Sequence, residues 1–115
     1  MKVAISATSD SLDAGVDSRF GRCAWFLLVD SETMECEAIK NENADAASGA
    51  GTSCAQLVLE KGVDAVISGR VGPNAYEVLK QGEVTILIAP QDNSVQEAIQ
   101  KCKDNQLQRM EMKVY

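Results

Sequence analysis

Two hydrophobic periods divide the chain. Over the first forty residues the apolar positions fall in short runs: Val3-Ala4-Ile5, then Trp25-Phe26-Leu27-Leu28-Val29, then Met34, Cys36 and Ala38 alternating with Glu35 and Glu37. Runs of this length, with turn-formers Asp30-Ser31-Glu32-Thr33 before the last, predict three strands in an antiparallel meander. The second run is apolar on both faces, as in the middle of a sheet. The third keeps one wet face, which places Cys36 on an apolar side. Between the first two runs, Thr8 to Ser18 is polar and predicts a flexible connection.

From Ala50 the period becomes helical. Cys54, Leu57 and Val58 share a stripe, and Gly62 stands where a residue just past a helix belongs. Ala65-Val66-Ile67 is a strand, Pro73 opens a second helix with Ala75, Val78 and Leu79 on one face and Gly82 as its stop, and Val84 to Ile88 is a fifth strand. Ser94-Val95-Gln96-Glu97 has the capping-box spacing ahead of a third helix whose stripe is Val95, Ala98, Ile99 and Cys102. The predicted architecture is α/β with a five-stranded mixed sheet: the meander, then βαβαβα with right-handed crossovers and about three helices. Met110, Met112 and Val114 alternate with charged residues, so 103–115 is either an extra edge strand or a frayed tail.

Composition narrows the function. The 115 residues, 45% hydrophobic and 24% charged, suit one globular domain spanning 1–115. A net charge of −6 disfavours nucleic acid and acidic lipid as partners, because a polyanion is repelled over most of the surface. Any anion site is therefore local. With no spanning stretch and no leader-like segment before the first strand, the expected location is cytoplasmic.

Against that acidic background, three of the four arginines fall in two loops. Arg19-Phe20-Gly21-Arg22-Cys23 precedes the second strand, and Ser68-Gly69-Arg70-Val71-Gly72-Pro73-Asn74 links a parallel strand to a helix. In open α/β sheets, ligands collect beyond the carboxyl ends of strands, where such loops lie. Gly49-Ala50-Gly51-Thr52-Ser53 precedes another helix, so its backbone N–H groups suit an anion. The plainer readings are arginines paired with carboxylates such as Asp17, and a loop ending in a helix cap.

Catalytic signals are weak. The chain has no histidine, and its cysteines, Cys23, Cys36, Cys54 and Cys102, include no Cys-x-x-Cys pair. A histidine-based triad and a structural zinc site are both disfavoured. The plainer role for each cysteine is a small buried hydrophobe. No Gly-Lys-Ser/Thr phosphate loop is present, and the Gly-x-Gly-x-x-Gly fingerprint is incomplete.

Arg19-Phe20-Gly21-Arg22-Cys23, Val29-Asp30, the Gly-Ala-Gly turn at 49–51 with Ala55-Gln56-Leu57, Lys61 to Ile67, and Gly72-Pro73-Asn74-Ala75 together resemble the NifX/NifB-type dinitrogenase iron–molybdenum cofactor biosynthesis family. The similarity runs in order to about Lys103. It implies a ribonuclease-H-like fold and a non-enzymatic carrier of an anionic metal–sulfur cluster. The cluster would be an iron–molybdenum cofactor precursor or, as in small members of the orange-protein type, a molybdenum–copper sulfide. A cofactor-assembly or acceptor protein is the implied partner.

Many relatives carry histidine where Arg19 stands, and some carry cysteine where Val71 stands. Losing both potential ligands shifts the expectation toward electrostatic capture. The expected cargo-binding set is Arg19, Phe20, Gly21, Arg22, Gly49, Gly51, Thr52, Ser53, Gly69, Arg70, Gly72 and Asn74. Cys23 and Cys54 are the thiols near enough to ligate metal. The alternatives are a cluster-free regulatory or protein-interaction module on the same fold and, more weakly, an enzyme acting on a small phosphorylated substrate.

Overall fold

Strand β1 (Lys2–Ala7) holds the centre of the sheet because Val3 to Ala7 are apolar or small on both faces and have company on either side. It pairs antiparallel with β2 (Trp25–Asp30) and parallel with β4 (Ala65–Ser68). Strand β3 (Cys36–Lys40) extends one edge and β5 (Thr85–Ile88) the other. The computed structural model describes residues 1–46, 48–90 and 92–111. Helices α1 (Ala50–Glu60), α2 (Pro73–Gln81) and α3 (Val95–Lys103) complete the α/β arrangement.

The sheet has six strands in the order β3-β2-β1-β4-β5-β6, not the five expected. The sixth, β6 (Gln108–Arg109), pairs antiparallel with β5. After α3 the backbone turns through Asn105 in the left-handed region, φ 56°, and this reversal returns the chain alongside β5. The predicted alternation at Met112 and Val114 lies outside the described residues.

Alternate strand residues feed two cores, as the period of two requires. Ala4, Phe26, Leu28, Val66 and Ile86 meet Cys54, Ala55 and Val58 of α1 and Ala75, Tyr76 and Leu79 of α2. Val3, Ile5, Leu27, Val29, Ala65 and Ile67 meet α3 through Val95, Ala98, Ile99 and Cys102. The 8–18 connection is more than a polar link, since Ala14 and Val16 are buried in this second core.

Strand β3 corrects the expected phase. Its register sets Ile39 opposite Phe26 and Glu37 opposite Leu28, so the inward position is Ile39. Cys36 and Ala38 point the other way and are exposed. The alternation was right, but the sequence carries no sign of which face a helix will cover.

The helix boundaries follow the expected signals. Gly62 adopts φ 70° just past α1, Pro73 is the first residue of α2, and Ser94 with Glu97 forms the capping box of α3. At the end of α2 the left-handed residue is Glu83, φ 61°, rather than Gly82. Gly82 serves a different need: a Cβ there would collide with Leu59 of α1.

Candidate functional site

Parallel pairing of β1, β4 and β5 brings the loops that follow these strands to one edge of the sheet. Loop 17–23 and loop 69–72 are laced together backbone to backbone. Gly69 N–H donates to Asp17 O at 3.3 Å and Phe20 N–H to Arg70 O at 3.1 Å. The Ser6 hydroxyl, buried below them, donates to Asp17 O at 2.8 Å.

Two glycines allow this closeness. A Cβ at Gly69 would sit 2.6 Å from Ser18 Cα, and one at Gly21 would sit 2.7 Å from the Gly51 backbone nitrogen. Loop 17–23 is thereby clamped between loop 69–72 and the first turn of α1. Gly69 acts in this frame rather than as a lining residue of the hollow described next.

Arg19, Phe20, Gly21, Arg22, Gly49, Ala50, Gly51, Arg70 and Gly72 line a hollow of about 330 Å³. A second hollow of about 190 Å³ shares its glycines and adds Thr52, Pro73, Asn74 and Ala75. Three sequence-distant loops therefore converge as expected. Ser53 is exposed outside both linings. A larger hollow of about 610 Å³ near the end of β5 includes Gly69, but Lys101 is the cation in its lining.

Helices α1 and α2 both open on this place. The first N–H groups of a helix have no intrahelical acceptor, and the N-caps here, Gly49 and Gly72, supply no capping side chain. Neither first turn contains an acidic residue. Helix α3, capped by Ser94 with Glu97 in its first turn, is built in the opposite way. Two positive helix ends thus face a hollow that is already lined by arginines.

The three arginines differ in commitment. Arg19 Nε lies 3.5 Å from the Asp17 carboxylate, with 64% of its side chain exposed. The same Asp17 oxygen accepts from Arg19 N–H at 2.9 Å. Arg22, also in the lining, is tied to a neighbouring segment: its Nη1 donates to Ala44 O at 3.0 Å and also to Ala46 O. Arg70 is exposed at the rim, and its backbone carbonyl anchors loop 17–23.

Behind the wall lies a residue that sequence reasoning missed. Asn41, buried at the end of β3, donates through Nδ2 to Cys23 O at 2.8 Å and Gly21 O at 3.1 Å. Its Oδ1 accepts from Asn43 N–H at 3.0 Å and from the Cys54 thiol at 3.4 Å. Asn41 to Asn43 is an Asx turn, a pattern that the Lys40-Asn41-Glu42-Asn43 run could have signalled. Its tie to Gly21 and Cys23 could not have been read there.

Cys23 and Cys54 are fully buried against this amide rather than open to the hollow. Burial, with Cys54 and Asp17 nearby, pushes the Cys23 thiol from 9.0 up to about 12. Burial likewise pushes Cys54 up to about 11, despite its hydrogen bond to Asn41 and the nearby Arg22 charge. Both are protonated near neutral pH, and a protonated thiol is a poor metal ligand. Among the described residues no three His, Cys, Asp or Glu side chains group to hold a metal ion. Val71 is buried in the core with residues of α1 and α2.

The family model described as dinitrogenase iron-molybdenum cofactor matches residues 1–105. An uncharacterized protein of Methanocaldococcus jannaschii is 32% identical over 114 residues, covering 96% of this chain and 92% of its own length. The apo form of the orange protein from Desulfovibrio gigas superposes with a TM-score of 0.90 at 32% identity, covering 95% of this chain and 92% of that one. A candidate NifB protein from Thermotoga superposes with a TM-score of 0.84, also at 32% identity, covering 99% and 97%.

Proposed function

Because the chain belongs to the dinitrogenase iron–molybdenum cofactor family, we propose that it is a non-enzymatic carrier of an anionic metal–sulfur cluster, held chiefly by charge and backbone N–H groups. The observation that carries this reading is the convergence of two uncapped helix N-termini with Arg19 and Arg70 on one hollow of about 330 Å³. That volume is at the low end for small-molecule sites and suits a compact inorganic polyanion better than an extended nucleotide. The likeness to the orange protein supports the same reading.

In this proposal, Arg70 and Arg19 meet the cluster's outer sulfides or oxo groups. The amides of Gly49 to Thr52, of Gly72 and of Asn74 donate from below; Pro73 between the last two has no N–H to give. Phe20 and Gly21 form the wall. Ligation by Cys23 or Cys54 would require loss of a strongly held proton and opening of the Gly21 backbone, so charge capture is favoured. The cargo is either an iron–molybdenum precursor or a molybdenum–copper sulfide, received from or delivered to a cofactor-assembly protein in the cytoplasm. The strand order β3-β2-β1-β4-β5, with β2 antiparallel, supports the ribonuclease-H-like label. Such a fold brings no nuclease chemistry by itself.

The test is anaerobic incubation with tetrathiomolybdate plus copper, and separately with an iron–molybdenum precursor, followed by desalting, absorption spectroscopy and metal analysis. Retained metal with charge-transfer absorption is expected. Arg70→Met should lower affinity about ten-fold, the scale of one charge-assisted hydrogen bond. No retained metal with either cargo would refute the reading. One observation favours a second reading, a cluster-free interaction module: Arg19 and Arg22 already have protein partners. Changes in the three loops only on adding a partner protein would move the conclusion there.

A further inference from the structure

Arg22 lines the hollow, yet its hydrogen bonds lead elsewhere. Nη1 donates to Ala44 O and Ala46 O, two carbonyls of the segment that joins β3 to α1. That segment is already turned upon itself, with Ala46 N–H donating to Asn43 O at 3.0 Å and Asn43 N–H donating to Asn41 Oδ1 at 3.0 Å. It then runs to Gly49, whose φ of 75° sets the entry angle of α1. Asn41 holds the start of the segment, and Arg22 holds its middle.

We propose that Arg22 is a positioning residue: it straps segment 42–46 to loop 17–23 and so fixes the amides of Gly49 to Thr52 against the hollow, without itself contacting the cargo. Nη1 could meet the cargo only by giving up these carbonyls, leaving two acceptors without their donor. The Gly21–Gly51 approach shows how closely the strapped parts must stay in place, since the two backbones leave no room for a Cβ. Nearness of the guanidinium to the buried Cys54 fits the same placement. The consequence for cargo rests on the carrier reading above, whereas the strap itself can be measured without any cargo.

Amide hydrogen exchange of the cargo-free protein is compared for wild type, Arg22→Met, Arg22→Lys and Arg70→Met. With Arg22→Met, exchange should rise about ten-fold at the hydrogen-bonded amides of Asn43, Ala46 and Ser53, while the amides of Ile5, Leu27 and Ile67 keep wild-type rates. Arg22→Lys, which keeps donors on a shorter head, should fall between the two and serves if the Met variant does not fold. Arg70→Met should leave these amides alone. Wild-type exchange in both Arg22 variants would overturn the proposal.

Tetrathiomolybdate affinity as a function of NaCl separates positioning from direct contact. Arg70→Met should flatten the salt dependence, because it removes the protein charge that faces the cargo. Arg22→Met should lower affinity with less flattening than Arg70→Met, and Arg22→Lys, which keeps the charge, should run in parallel with wild type. Flattening by Arg22→Met equal to that of Arg70→Met would overturn the proposal. Failure of the wild-type protein to retain tetrathiomolybdate would defeat the carrier reading, and the exchange result would still decide the strap.

Discussion

The arginines and cysteines of the site were all visible in the sequence, but their partners divide them into roles that residue type cannot predict. Arg19, Arg22 and Arg70 look equivalent as letters; one is paired with a carboxylate, one ties down a loop and one stands at the rim. Cys36 and Cys54 look equally apolar, yet Cys36 is exposed and Cys54 is fully buried. A thiol reagent at neutral pH should therefore modify Cys36 at once and spare Cys23, Cys54 and Cys102. Fast loss of more than one thiol would contradict the burial. The raised thiols also set a pH dependence. Below about pH 9 they are protonated whether the chain is folded or unfolded, so their contribution to stability is fully present. Above that the unfolded chain loses its protons first, while folded Cys23 holds its own to about 12 and Cys54 to about 11, so stability falls as pH rises through this window. At about pH 10 the loss is roughly 1 kcal/mol per thiol. Urea unfolding of wild type and of Cys23→Ala/Cys54→Ala at about pH 7.5 and about pH 10 measures it; equal pH sensitivity would count against the assignment.

At the scale of elements, the glycines of the three loops do different work despite their shared place at strand ends. Gly21 and Gly69 are where backbones touch, so Gly21→Ala and Gly69→Ala should each destabilise by about 1–3 kcal/mol, the usual cost of overpacking. Gly72 has open space around its missing Cβ and φ −72°, which any residue adopts. Gly72→Ala should change unfolding free energy by less than about 0.5 kcal/mol. Denaturant unfolding of the three variants checks the ranking, and a large loss at Gly72 would break it. Ser94→Ala removes the hydroxyl of the capping box and should cost about 1 kcal/mol, with the hollow untouched on the opposite helix pair. The capping box, Pro73 and Gly62 were legible in advance because each answers to its neighbours in the chain. The sixth strand was less legible. Gln108–Arg109 has no apolar pattern of its own and is a strand only because β5 offers an edge after the turn at Asn105.

For the whole molecule the decisive contrast is between a net charge of −6 and one hollow lined by arginines and two uncapped helix N-termini. Arg19 and Arg70 are exposed, so salt screens them, and cargo retention should drop several-fold between about 50 and about 500 mM NaCl. Retention that is indifferent to salt would point to ligation by buried groups instead of charge. The sequence by itself determined the α/β class, the helix limits, the central strands and the three arginine- and glycine-bearing loops that line one hollow. Those are consequences of hydrophobic period, caps and turns, which act over a few residues. Only the tertiary structure decided that Ile39 rather than Cys36 faces inward, that Arg22 Nη1 binds the carbonyls of Ala44 and Ala46, and that Asn41 stands behind the wall with both thiols. Each of those depends on which distant backbone lies within a few ångströms, and no local pattern of residues encodes that distance.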